Sequence, residues 1–506
     1  MEQSRIDWPS FGACAAIIVL VCVPLAASPD TAGSFLQNLY VDIAANFGVF
    51  YLFASVAAIS FLIWLASSRF GLVRLGDTDS TPEFSQSSWI AMLFCAGVGA
   101  GLMKWCATEW AYYFESPPFG VAAHSVEASE WASTYGLFHW GITAWAFYCL
   151  PAIAIAYPYY RRQLNVLRFS LSCNWFLRGN EHGPVARIID FLFMIALIGG
   201  AAASLGFSTP LIAACVAWMF GTTTSFALEV TIMGVCVALF VISVWLGLKK
   251  GIKRLSDINM YLAFGLLLFI LVVGPTLFLL KTSLNSVGMM TQNFLRMSFW
   301  TEPFTNSGFV ESWTVFYWAW WIAFAPYVGL FITRISRGRT IRQVITGMLI
   351  FGSLGSWVFY MIIGNYALSL QLTDALDFVT IMNSSGDNAA IVATLASLPL
   401  APLVVGVFAL VSIVFAATTY DSASYSLASG ATLHLSAGDD PARWHRVFWA
   451  FALAVMPIAL LFISDDSGQG LKTMQALLLV VSLPILLVGV VMSVSLVKSL
   501  RADHPL

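Results

Sequence analysis

The sequence predicts an all-α polytopic membrane protein of twelve transmembrane helices, ten of them in two five-helix blocks of opposite orientation. Three observations carry this. Hydrophobic residues make up 59% of the 506 positions, charged residues 10%, and mean hydropathy is +0.82, which excludes a soluble enzyme. Lys and Arg crowd alternate connections between the apolar runs. Once the first two runs are set aside, ten remain, and an odd number of spans per block turns the second block over relative to the first.

Taken in order, the apolar runs cover 11–27, 48–67, 88–114, 135–158, 186–216, 227–247, 255–281, 309–334, 341–367, 400–433, 443–464 and 470–498. Met1–Ser10 is polar, and Phe11–Ala27 reads as the first span rather than a cleavable leader. Arg69 and Arg74 follow the second run, five Arg (161, 162, 168, 178, 187) the fourth, and Lys249, Lys250, Lys253 and Arg254 the sixth. The pattern continues with Arg334, Arg337, Arg339 and Arg342, then Arg443 and Arg446, then Lys498 and Arg501. The intervening loops 28–47, 115–134, 217–226 and 368–399 hold no Lys or Arg. Counting Arg5, twenty of the 24 basic residues fall on one side. Both termini are therefore expected in the cytoplasm of a bacterial-type inner membrane. The expected division is two N-terminal spans over 1–87, a first block over 88–281 and a connecting amphipathic helix on the outer face within 282–308. A second block over 309–499 and a short cytoplasmic tail over 500–506 complete it.

Eight Cys, almost all inside apolar runs and without paired spacing, read as small buried hydrophobes rather than a disulfide frame or metal site. The spans hold too few His for haem or copper ligation. No intramembrane His/Asp/Glu constellation suits hydrolysis, so an enzyme is not expected, and neither is a nucleic-acid partner.

The densest chemical signal is WTVFYWAWWIAFAPYVGLFITRISRGR, from Trp313 to Arg339. Aromatic rings crowd its first half, Pro326 weakens the helical ladder in its middle, and Ala325-Pro326 is expected to interrupt the helix that opens the second block. Rings at a membrane interface commonly serve packing, but rings inside a span can also cage a cation that donates no hydrogen bond, at about 0.5–2 kcal/mol per face. On the fourth run Trp140, Trp145 and Tyr148 share one broad helical face, and Tyr112 on the third can face the same space. The alternating glycines of Ala96-Gly97-Val98-Gly99-Ala100-Gly101 make unwinding inexpensive and expose carbonyls to a cation, or they simply allow close helix packing. Lys104 and Glu109 follow, ionisable at a depth where charge is functional by default, unless the two form a structural ion pair. In Ala417-Thr418-Thr419-Tyr420-Asp421-Ser422, hydroxyls beside a carboxylate suit a hard monovalent cation, or else bond back to their own helix.

WTVFYWAWW (313–321), RISRGR (334–339), the FHW…W..Y run (138–148) and the Gly-rich break with ESPPFG (115–120) resemble the betaine/choline/carnitine transporter family, over essentially the whole chain. The third and eighth segments look closest to its carnitine branch. The resemblance implies a LeuT-like fold of two inverted five-helix repeats, a homotrimer, and a central box for a trimethylammonium or dimethylsulfonium head. Betaine, carnitine, choline and dimethylsulfoniopropionate are the candidate substrates. By position that box comprises Trp140, Trp145, Tyr148, Trp320, Trp321 and Phe324, with Tyr112 matching a box tyrosine of the carnitine branch. Relatives carry Trp or Tyr where Phe324 stands, so a polar handle is absent here. Trp313 matches an aromatic of the access path.

The resemblance also implies sodium coupling, with Thr418, Thr419 and carbonyls near Cys95 and Val98 forming one cation site. Asn259 stands where the sodium-independent carnitine branch carries Arg. The family's other sodium site lacks its hydroxyls here, at Leu197…Ala201. Lys104 is expected to replace that sodium or to hold the substrate carboxylate, with Glu109 nearby. Long charged termini of osmosensing members have no counterpart before Leu506, so nutrient uptake is expected over osmotic regulation. The rival expectations are sodium-independent exchange of one onium for another and a non-transporting onium sensor.

Overall fold

The structure, a computed structural model, describes residues 6–77, 79–96, 99–164, 167–181, 183–245, 249–433, 441–463 and 469–505. Among them there is no β-strand, only isolated bridges from Ile6 to Thr432 and from Arg74 to Thr340. Eight helices are long and apolar enough to cross a membrane. The count is nine if Asp257–Val273 and Thr276–Phe299, bent by 110° to one another, form one broken span. Their outer faces are apolar: Leu20 is 71% exposed, Phe53 70%, Leu268 60% and Val490 64%. Such a belt needs a covering, and lipid supplies it.

Several runs divide differently from their hydropathy. The second belongs to a 39-residue helix, Pro29–Ser67, because nothing in 29–47 breaks it and Pro29 sits at its first turn, where no N–H is needed. The run at 255–281 is not one helix. Lys249–Val273 stops at Gly274-Pro275, and the chain restarts as Thr276–Phe299. Pro275 has no N–H to offer, and Thr276 Oγ1 donates to the freed Leu271 carbonyl at 2.7 Å. The lysine-free loop at 368–399 contains two short helices, Phe378–Ser385 and Asp387–Ala396.

The third span is parted as Gln86–Ala96 and Ala100–Glu115. The fourth is parted as Val126–His139 and Ile142–Ala156, at Trp140-Gly141. The eighth corrects an expectation: Phe316–Ile335 runs through Pro326 without a break, after a wide turn over Val310–Val315. One turn past that proline, Gly329 lies against Pro151 and Ala152, where a Cβ would come within 2.9 Å of both. Thr333 Oγ1 donates to the Ala152 carbonyl at 3.0 Å across the same crossing. Only a hydrogen at position 329 lets Ile142–Ala156 and Phe316–Ile335 approach this closely. These two helices carry most of the predicted box.

Candidate functional site

The break at Trp140-Gly141 leaves helix-end carbonyls without backbone partners, and tryptophans from elsewhere take them up. Trp357 Nε1 donates to the Leu137 carbonyl at 2.8 Å, and Trp321 Nε1 to the His139 carbonyl at 2.8 Å. Unpaired backbone at this depth is expensive, so the two indoles are fixed by the break itself. Trp140 Nε1 donates at 3.1 Å to Oε2 of Glu109, a fully buried carboxylate on Ala100–Glu115. With their N–H groups tied off, Trp140 and Trp321 are left with their faces. The two rings stand at 72° with centroids 4.6 Å apart.

Around them the predicted residues converge. Trp140, Trp145, Tyr148, Trp320, Trp321 and Phe324 line one cavity of ≈ 830 Å³. Trp320 and Trp321 stack at 5.3 Å and 15°, and Tyr148 meets Trp321 edge-on at 6.0 Å and 79°. Glycines from other helices make room for the rings. A Cβ on Gly352 would fall 2.2 Å from the Trp145 ring, and one on Gly200 would fall 2.5 Å from Phe324. Asp257, at the mouth, is the one charged side chain among the described residues of the lining. The cavity runs past Phe331 toward Phe84 and Ser88, at the end of the bundle where the basic loops lie. Away from that end the rings close up: Trp313 packs on Tyr112 at 5.1 Å and Tyr113 at 5.0 Å.

Other predicted residues fall elsewhere. Tyr112 is not in the lining; its hydroxyl donates to Asp387 Oδ1 at 2.8 Å. Lys104 pairs with Asp387 Oδ2 at 3.2 Å rather than with Glu109, and it too stands outside the lining. Glu109 is ringed by donors: Tyr113 at 2.5 Å, Tyr317 at 2.6 Å, Trp140, Tyr360 and His139 Nδ1 at 3.4 Å.

Thr418 and Thr419 do line the cavity, and each hydroxyl donates to the Phe415 carbonyl at 2.9 Å, the local bond that such residues make in helices. Donating leaves the lone pairs of both oxygens unused. Asp421 is turned away to Arg446 at 2.6 Å. Asn259 donates to the Val411 carbonyl at 3.3 Å, while its buried Oδ1 has no partner among the described residues. Val98 and the Cys95 side chain lie outside the described residues. Sequence reasoning missed Tyr317, Tyr360 and Gly352. Tyr360 and Gly352 sit on the ninth run, whose Phe351, Trp357, Phe359 and Tyr360 form no motif as dense as 313–321, and only the fold brings them to the cavity.

The family model for "BCCT, betaine/carnitine/choline family transporter" matches residues 9–505. An uncharacterized transporter of Escherichia coli (strain K12), YeaV, is 34% identical over 447 residues, 88% of this chain and 92% of that protein. A protein of Acinetobacter baumannii named as a carnitine transporter is 34% identical over 456 residues, 90% of this chain and 81% of that one. The chain belongs to the betaine/carnitine/choline family of transporters, and is a membrane transporter rather than an enzyme.

Proposed function

We propose that this chain carries a small onium compound across the membrane, its methylated head held between Trp140, Trp321, Trp320 and Tyr148. The observation that carries this is the pair of indoles whose N–H groups are occupied and whose rings line the cavity. A quaternary ammonium or tertiary sulfonium donates no hydrogen bond, so ring faces are what it can use, at about 0.5–2 kcal/mol each. Glycine betaine, carnitine, choline and dimethylsulfoniopropionate share that head, and a relative's name speaks for carnitine. The substrate's polar end would be received by neutral donors, since the described lining holds no Lys or Arg. The Trp145 and Trp320 N–H groups and the Tyr148 and Ser204 hydroxyls, unpartnered among the described residues, are the candidates.

Transport would proceed by alternating access in a LeuT-like arrangement of twelve spans, the blocks 88–281 and 309–499 being inverted repeats, in a homotrimer with both termini in the cytoplasm. Sodium would be the coupling ion. The Thr418 and Thr419 oxygens suit a hard cation, and Asn259 Oδ1 is a further oxygen without a partner among the described residues. Bound there, a cation would supply the differential affinity that shifts the bundle between its states. The test is uptake of labelled glycine betaine and carnitine into proteoliposomes under a sodium gradient. Counterflow that persists unchanged with potassium in place of sodium would establish exchange instead. Absence of uptake and counterflow for all four compounds ends the onium reading.

A further inference from the structure

The carboxylate behind the cage is more than filler. Glu109 is fully buried, and its two oxygens take hydrogen bonds from three parts of the bundle besides its own helix. Tyr113 reaches Oε1 at 2.5 Å, with His139 Nδ1 at 3.4 Å. Oε2 accepts from Trp140 Nε1 at 3.1 Å, from the Tyr317 hydroxyl at 2.6 Å, and from the Tyr360 hydroxyl. His139 is itself held through Nε2 by Thr314 Oγ1 at 3.1 Å. The one Lys on the same helix, Lys104, is taken by Asp387. Glu109 thus sits among hydroxyl, indole and imidazole groups, and among the described residues no Lys or Arg pairs with it. One indole ring away lies the cavity.

We propose that Glu109 both positions the cage and selects for charge. Its carboxylate would fix Trp140, Tyr317 and Tyr360, and across the Trp140 ring it would favour a positive head over a neutral one of the same shape. This rests on the onium reading of the cavity. The physical route is direct. An N–H donated to an anion pushes electron density into the indole and deepens the negative potential of its faces. The charge itself also acts across a ring's width, because little water screens it there. A neutral ligand of equal size feels the packing and none of the field. A carboxylate serving only as glue between helices would instead affect charged and neutral ligands alike.

Tryptophan emission of the purified full-length protein is titrated with choline and with 3,3-dimethylbutan-1-ol, which replaces the ammonium nitrogen by carbon. Wild type should prefer choline. Glu109→Gln, which keeps the size and loses the charge, should cut the preference for choline over the alcohol about tenfold, beyond any weakening that the two ligands share from loosened rings. Tyr360→Phe, which removes one donor and keeps the charge, should retain the preference. Equal weakening of both ligands in Glu109→Gln, or an undiminished preference for choline, overturns the proposal. Should that variant not fold, Trp140→Phe breaks the link between ring and carboxylate, and a preference as large as wild type there overturns it as well. Failure of wild type to bind choline, glycine betaine and carnitine alike removes the onium reading itself, a result distinct from a preserved ratio.

Discussion

Single side chains in this cage do two jobs at once, and substitutions can separate them. Trp321 caps the His139 carbonyl and lines the cavity. Trp321→Phe keeps a face and leaves a buried carbonyl unpaired. The expected outcome is a stability loss of about 1–3 kcal/mol in denaturant or thermal unfolding, with only a modest fall in affinity by emission titration. Trp140→Ala with Trp321→Ala removes both faces, and glycine betaine affinity should drop at least about 30-fold. Binding that survives this double change would rule out the cage. At Gly352 the argument is space: a Cβ 2.2 Å from the Trp145 ring cannot be accommodated in place. Gly352→Ala should raise KM for uptake by displacing Trp145, and Gly352→Ala with Trp145→Phe should recover part of the loss.

Among the elements, the broken helices matter most for function. Ala100–Glu115 and the Val126–His139/Ile142–Ala156 pair end or begin beside the cavity, and the carbonyls freed at Trp140-Gly141 hold the Trp321 and Trp357 rings. The short helix Asp387–Ala396 is fastened over the far side by Lys104 and Tyr112, both bonded to the Asp387 carboxylate. These side chains are 11% and 16% exposed for Lys104 and Asp387, so the pair is mostly shielded from water. Removing one partner strands the other. Lys104→Met is expected to loosen this helix by about 2–4 kcal/mol, seen as faster amide exchange over 387–396. The swap of Lys104→Asp with Asp387→Lys should restore part of the protection. Unchanged exchange in Lys104→Met would show that the fastening is made elsewhere.

For the whole molecule, the cavity has a direction. It reaches Ser88 and Phe331 near the basic end, whereas Trp313, Tyr112 and Tyr113 close the opposite one. A cysteine at Ser88 should react with a membrane-impermeant thiol reagent applied from the side of the basic loops, and bound substrate should slow that reaction. Labelling only from the other side would reverse the assignment. The native cysteines described are buried, which keeps the background low. For coupling, Thr418→Val with Thr419→Val removes both hydroxyl oxygens. Sodium-dependent uptake should then require at least about tenfold more sodium, and direct sodium binding should weaken in parallel.

The amino-acid sequence by itself determined the class, the family and most of the aromatic residues that line the cavity. Apolar runs, the one-sided distribution of Lys and Arg, and the Trp-rich motif of 313–321 are local signals, each readable within one span. Six of the seven predicted substrate-contacting residues line the cavity together, because a motif that carries aromatic rings also carries their helical register. Tertiary structure alone decided who stands beside whom. Lys104 and Glu109, five residues apart, turn to different partners, since Asp387 and the Tyr317–Tyr360 pair arrive from far along the chain. The passage through Pro326 and the bend at Gly274-Pro275 were decided the same way, the same residue type lying inside one helix and ending another. Hydropathy reports how much a segment wants to leave water. It carries no information on which neighbour will take up a buried charge or a freed carbonyl.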